Sequence, residues 1–208
     1  NRAILSRHLP GEPAWLRQVH GARVVCADGL VERPDADASV ARDAATVCAV
    51  MIADCLPVLL CDKDGAVVGI AHAGWRGLSS GIVENTVAAM GAAADNLIAY
   101  LGPAIGPSAF EVGADVRDAF LATDAGAAGA FAPHREGKWL ADLFMLARRR
   151  LARSGVTRVF GGGLCTYRDA ARQKAQANLS ADPAQIRAFL ESSFDHPVWN
   201  GIALRCHG

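Results

Sequence analysis

Apolar and polar positions alternate most sharply in the middle of the chain. Two apolar runs, Leu56 to Cys61 and Ala66 to Ala73, flank Asp62-Lys63-Asp64-Gly65. An Asp-Gly pair between apolar runs predicts a hairpin. A turn centred between Lys63 and Asp64 sets Cys55 opposite His72, with Cβ atoms about 4.5–5.5 Å apart. A turn centred on Asp64-Gly65 moves Cys55 by two residues against its partner, still within reach of a long side chain. Pro57 cannot donate to a ladder, which predicts an edge strand or a bulge near Cys55.

Before the hairpin the pattern is strand-rich. Strands are expected at Trp15 to Val19, Val24 to Cys26 and Thr46 to Ala53, with a polar loop from Glu32 to Asp43 and a short helix from Asn1 to Leu9. After it, Ile82, Val83, Thr86, Val87 and Met90 recur at helical spacing, predicting a helix that begins near Leu78 or Ser79 and stops at Gly91. Leu97 to Leu101 reads as a strand that closes on a rigid loop with two Gly-Pro pairs, Gly102-Pro103 and Gly106-Pro107. Asp115 to Leu121 reads as a helix, and the Gly/Ala-rich stretch to Ala132 is weakly specified. Leu140, Leu143, Phe144, Ala147 and Leu151 form one helical face that ends among Arg148, Arg149, Arg150 and Arg153, with Gly155 suited to the cap. The arginines read as a solvated face. Val156 to Phe160 reads as a strand, and the polar tail as helical around Pro183 to Leu190 with a short apolar piece at Ile202 to Leu204.

A chain of 208 residues, 51% apolar and 20% charged, has room for a sizeable core and reads as one globular domain. Its formal net charge of zero argues against a general nucleic-acid binder. Acidic residues Asp54 and Asp62 interrupt the most apolar region, so no membrane span is expected. The chain begins at Asn1, not Met, so a trimmed or unseen N-terminus is expected, and no signal segment is visible. Six cysteines without a signal segment suggest reduced thiols and a cytoplasmic protein.

Three residues stand out chemically: His20, Cys55 and His72. The hairpin brings the last two together, while nothing local places His20 beside them. Three nitrogen and sulfur donors with an open fourth position are the pattern of a catalytic zinc site. A buried structural thiol and satisfied loop histidines are the plainer reading of each residue alone. Arg76, in Ala73-Gly74-Trp75-Arg76-Gly77 at a helix start, suits an anion such as phosphate; a solvated arginine beside a tight turn is the alternative. Asp54 reads as a solvated charge or as a partner to an imidazole. His8, His134, His196 and His207 sit in polar contexts that suggest surface positions.

At these residues the chain resembles the bacterial YfiH family, also called the laccase-domain or polyphenol-oxidase-like family. The matching pieces are Gln18-Val19-His20-Gly21, Ala53-Asp54-Cys55-Leu56-Pro57-Val58 and Ala71-His72-Ala73-Gly74-Trp75-Arg76-Gly77. Leu101-Gly102-Pro103-Ala104-Ile105-Gly106, Phe110-Glu111-Val112-Gly113 and Leu164-Cys165-Thr166 match further along. The resemblance implies a mixed α+β fold related to the cysteine-hydrolase domain of cytotoxic necrotizing factor toxins. It implies that His20, Cys55 and His72 hold a metal, usually regarded as zinc. It also implies purine-nucleoside chemistry: phosphorolysis of adenosine, inosine, guanosine and methylthioadenosine, with phosphate as partner, and adenosine deamination. The older family name implies phenol oxidation with copper. A multicopper oxidase needs many histidines, often in His-x-His pairs, and this chain has six histidines and no such pair. A metal-free Cys55/His72 hydrolase is a third possibility. Residues 168–208 depart from the family pattern, and the family carries a segment before the position of Asn1.

Overall fold

In the computed structural model, which describes Leu9 and residues 11–168, the hairpin lies at the centre of a mixed sheet. The strands are β1 (Pro13–Ala14), β2 (Val24–Cys26), β3 (Ala38–Ala41), β4 (Val47–Cys48), β5 (Leu56–Asp62), β6 (Val68–Ala73), β7 (Leu97–Leu101), β8 (Glu111–Val112), β9 (Phe131–Pro133), β10 (Trp139–Ala141) and β11 (Arg158–Gly161). The helices are α1 (Trp75–Ser79), α2 (Ile82–Met90), α3 (Ala114–Leu121) and α4 (Leu143–Arg153). Six strands form the main sheet in the order β11-β7-β5-β6-β3-β2. Its outer pairs are parallel and its inner pairs antiparallel. Strands β8, β10 and β9 make a small antiparallel sheet, and β1 pairs with β4 in parallel. This is the mixed α+β architecture expected.

Side-chain alternation divides the main sheet into two faces. Leu56, Val58, Leu60, Leu97, Ala99 and Leu101 join the helices in the main core. Cys61, Ile98 and Tyr100 pack on the other face with Leu59, Val68 and Phe160. Helix α2 buries the five residues that its sequence spacing picked out, Ile82, Val83, Thr86, Val87 and Met90. Each large apolar side chain among them contributes about 1.5–3 kcal/mol of burial. The helix ends at Gly91, whose φ of +64° is left-handed and costs least without a Cβ. Its start differs from the expectation: a separate short helix, α1, already begins at Trp75, and Gly81 divides the two.

The hairpin takes the second of the two registers. Leu56 pairs with Ala73 and Pro57 with His72, so the turn is centred between Asp64 and Gly65. Pro57 is on a central strand, not an edge, which corrects the sequence reading. Its carbonyl accepts from Gly102 N–H at 3.0 Å, on the side of β7. Its missing N–H therefore faces the same side, where β7 has already ended at Leu101, and no ladder bond is lost.

Three further expectations change. The polar stretch from Glu32 to Asp43 contains a fully buried strand, β3, built of Ala-Ser-Val-Ala. Only Val47–Cys48 forms a strand in the run from Thr46 to Ala53, and Met51 and Ile52 are 48% and 39% exposed. Trp15 to Val19 is not a strand; the pairing nearby is Pro13–Ala14, with an isolated bridge from Arg17 to Asp35. The arginines of α4 also do more than meet solvent. Arg150 is buried and donates to Glu84 and Thr123, Arg149 pairs with Asp124, and Arg148 holds the carbonyls of Val159 and Gly161. Asp142 caps α4 by accepting from Met145 N–H. The expected first helix and the tail elements lie outside the described residues.

Candidate metal centre

His72 is the fifth residue of β6, and by alternation it points to the sheet face away from the helices, as does Cys55 just ahead of β5. His20 comes from a turn before β2 and arrives at the same place. One donor atom from each of the three lies within 4.8 Å of the others. Cys55 Sγ is 3.9 Å from His20 Nε2, and the two imidazole centroids are 4.7 Å apart, nearly perpendicular. His72 is buried, Cys55 half-buried and His20 exposed. The structure thus brings together all three residues singled out in the sequence.

The residue that sequence reasoning missed is Asp37. It is 0% exposed, immediately before β3. Its Oδ1 accepts from His72 Nδ1 at 2.8 Å, and its backbone carbonyl accepts from His72 N–H at 2.7 Å. Backbone N–H groups of Val19, His20 and Gly21 also donate to the carboxylate. Burial raises its pKa, but the His72 contact and the three N–H donors outweigh burial, leaving it below the ordinary carboxylate value. His20 has φ +60°, unusual for a residue with a side chain. A buried acid inside a polar run was the available signal, but it reads as a loop charge until β3 is known to be a strand.

Glycine is required beside the cluster. A Cβ on Gly74 would stand 2.8 Å from Cys55 Sγ and 3.3 Å from His20 Cδ2, and one on Gly77 would stand 2.7 Å from the carbonyl of Gly21. Gly74, at the head of α1, thereby lies against Cys55 and His20, and Gly77 lets α1 approach the turn of His20 and Gly21.

The donor set fits a zinc ion. Bond lengths of about 2.0–2.3 Å in a tetrahedral site put neighbouring donors roughly 3.4–3.6 Å apart, so closing on an ion needs shifts of about an ångström or less. An imidazole whose other nitrogen bonds a carboxylate is the usual arrangement of a zinc-ligating histidine. The Cys55 thiol is pushed up by burial, then by the negative charges of Asp54 and Asp37, so a cation is needed to draw its proton away.

The cluster opens into a cleft of about 700 Å³. Leu16, Met51 and Ile52 give it apolar lining, Gln18, Asp54, Arg17 and Arg33 polar lining. Gln18 is tied to the loop that carries Met51 through both halves of its amide, at 2.8 and 2.7 Å. Asp54 is exposed, accepts from the Thr166 hydroxyl at 2.6 Å, and its carbonyl accepts from Ile105 N–H in the Gly-Pro loop. Arg17 is paired with Asp35. Arg33 is exposed and makes no ion pair among the described residues. Arg76 does not line the cleft; its guanidinium lies 4.7 Å from the Trp75 ring centroid, on the surface. The helix it begins is a single short turn of five residues, too short to be an anion seat by itself. His134 is at the surface near Glu111, as expected. The five described cysteines are free thiols, and no helix among the described residues is long and apolar enough to cross a membrane.

A family model described as multi-copper polyphenol oxidoreductase laccase matches residues 1–173. The purine nucleoside phosphorylase YfiH of Escherichia coli is 52% identical over 167 residues, spanning 80% of this chain and 68% of the relative. The protein of the same name from Shigella flexneri matches over the same lengths. Among solved structures, Neisseria meningitidis protein NMB0706 superposes with a TM-score of 0.77 at 51% identity, over 79% of this chain and 69% of that one. The YfiH protein of Bacillus licheniformis superposes with a TM-score of 0.71 at 26% identity, over 75% of this chain and 65% of that one.

Proposed function

We infer that this chain, which belongs to the YfiH family of laccase-domain proteins, is a zinc-dependent purine nucleoside phosphorylase with adenosine deamination as a second activity. The observation that carries the reading is the meeting of His20, Cys55 and His72 at the floor of an open cleft. The reaction class comes from the relatives, which are named purine nucleoside phosphorylases. Adenosine, inosine, guanosine and methylthioadenosine are the substrates proposed.

His20, Cys55 and His72 would hold the zinc, which would supply a Lewis acid at the cleft. In phosphorolysis a phosphate oxygen bonds to the ribose anomeric carbon while the bond from that carbon to the base breaks. The electron pair leaves with the base, which then takes a proton. Arg33 is better placed than Arg76 to seat the phosphate, because it lines the cleft and has no ion-pair partner among the described residues. Met51 and Ile52 offer an apolar wall for a flat base. Asp54 is the carboxylate that lines the cleft, and it is the proton carrier we propose. In deamination, water adds to the purine carbon bearing the amine, the bond from that carbon to the amine nitrogen breaks, and the nitrogen leaves as ammonia with a proton from the water.

Copper-dependent phenol oxidation is supported less well. It needs several metal-ligand clusters, and the His20/Cys55/His72 group is the one found among the described residues. A metal-free thiol hydrolase would need a lowered thiol pKa, whereas that of Cys55 is raised. The test is metal analysis of purified protein, with adenosine and phosphate turnover measured before and after Cys55→Ala. Zinc together with phosphate-dependent turnover lost in the variant supports the reading. Ammonia release without phosphate would leave deamination alone. Dioxygen consumption with a phenol and copper would overturn it.

A further inference from the structure

We propose that Asp37 is the positioning residue of the cluster: one buried carboxylate fixes both the free nitrogen of His72 and the turn that carries His20. The proposal rests on the reading of His20, Cys55 and His72 as metal ligands. Each oxygen of Asp37 takes two N–H donors. Oδ1 accepts from His72 Nδ1 at 2.8 Å and His20 N–H at 2.9 Å, and Oδ2 accepts from Gly21 N–H at 2.8 Å and Val19 N–H at 3.1 Å. A carboxylate has room for about four such bonds, so none is left over.

Two consequences follow from that geometry. An ionised carboxylate only accepts, so the proton of neutral His72 sits on Nδ1 and the lone pair on Nε2 is left for a cation. The turn of His20 holds a left-handed φ of +60°, which a residue with a side chain keeps only when its surroundings fix it. Three consecutive N–H groups aimed at one carboxylate do so. The strand pairing completes the link, because Ala38 is in register with Ala71 and His72 N–H donates to the Asp37 carbonyl. Two donors that are 52 positions apart in sequence, His20 and His72, are thereby referred to one side chain. A role in the fold alone would need the backbone contacts and not the imidazole.

The first measurement uses the native chain. Long-range proton–nitrogen NMR of ¹⁵N-labelled protein, stripped of metal and then given zinc, reads the His72 tautomer. The expected result is a proton on Nδ1 in both states; a proton on Nε2 in metal-free protein would overturn the proposal. The second measurement is zinc affinity by competition with a chromophoric chelator. Asp37→Asn turns an amide toward two N–H groups, so a 10–100-fold loss is expected, with His72 shifting toward mixed tautomers. Asp37→Glu keeps the negative charge on a longer arm, and is expected to retain the Nδ1 proton and recover part of the affinity. Folded Asp37→Asn protein that binds zinc as tightly as native would overturn the proposal. Should that variant not fold, the native tautomer and Asp37→Glu decide. Native protein that takes up no zinc, yet carries the Nδ1 proton, would overturn the metal reading and leave the hold of Asp37 on the histidines standing.

Discussion

Gly74→Ala separates the stability of the fold from the fitness of the cluster. The backbone at Gly74 has φ −60° and ψ 158°, which any residue adopts, so no backbone strain is introduced. The new methyl stands 2.8 Å from Cys55 Sγ and 3.3 Å from His20 Cδ2. Comfortable non-bonded contact needs roughly 3.5–4.0 Å, so the sulfur must retreat by about an ångström. Overpacking of this kind costs about 1–3 kcal/mol. Loss of unfolded-state freedom on replacing glycine offsets about 0.4–1 kcal/mol of it. The net loss is then no more than about 2.5 kcal/mol, or a fall in Tm of up to roughly 10 °C for a chain of this size. Metal–ligand distances tolerate only about 0.2 Å, so zinc affinity is expected to fall at least tenfold. The assay is chelator competition beside thermal denaturation of the metal-free protein. Gly129→Ala, where a methyl meets nothing within 4 Å, is the control. A Gly74→Ala protein with native zinc affinity and native turnover would refute the close packing of Gly74 against Cys55 and His20.

Gln18→Ala removes the two amide bonds that hold the Met51 loop; each is worth about 0.5–1.5 kcal/mol, and steady-state kinetics should show KM rising more than kcat falls, with little change in Tm. Ile82→Ala empties a fully buried site in α2 and should cost about 2–5 kcal/mol, seen as a lower urea midpoint with an unchanged m-value. Asp124 has its pKa lowered, first by the Arg149 hydrogen bond. Its folded form holds a proton less tightly than the unfolded chain does, so its contribution is full above the ordinary carboxylate pKa and fades as pH falls toward the lower folded value. Between about pH 5 and pH 2, Asp124→Asn should therefore lose less of its stability than native protein does, as Tm against pH will show.

Much of the central chemistry was legible because side-chain alternation is robust to the choice between the two turn centres. The two possible turn centres differ by two residues, and a two-residue shift keeps Cys55 and His72 on one face. Helix α2 was legible from its 3.6-residue period alone. The position of His20 was not, since the long-range bonds to Asp37 set it. Strand β3 was missed because it is buried on both faces and built of small residues, leaving no period of two. Val50 to Ala53 misled for the opposite reason. Met51, Ile52 and Ala53 line a cleft, and nothing in a linear pattern separates a strand from a binding wall. Pro57 misled because the first residue of a central strand's ladder can do without an N–H donor on one side, as an edge residue can. The loop with Arg33 and the carboxylate of Asp54 meet at the cleft through non-local contacts, which the sequence pattern does not encode.

X-ray absorption at the metal edge of the purified protein tests the cluster most directly. One zinc per chain is expected, with two nitrogen neighbours at about 2.0–2.1 Å and one sulfur at about 2.3 Å, the sulfur lost in Cys55→Ser. Zinc without a sulfur neighbour, or copper in its place, would contradict the assignment of His20, Cys55 and His72.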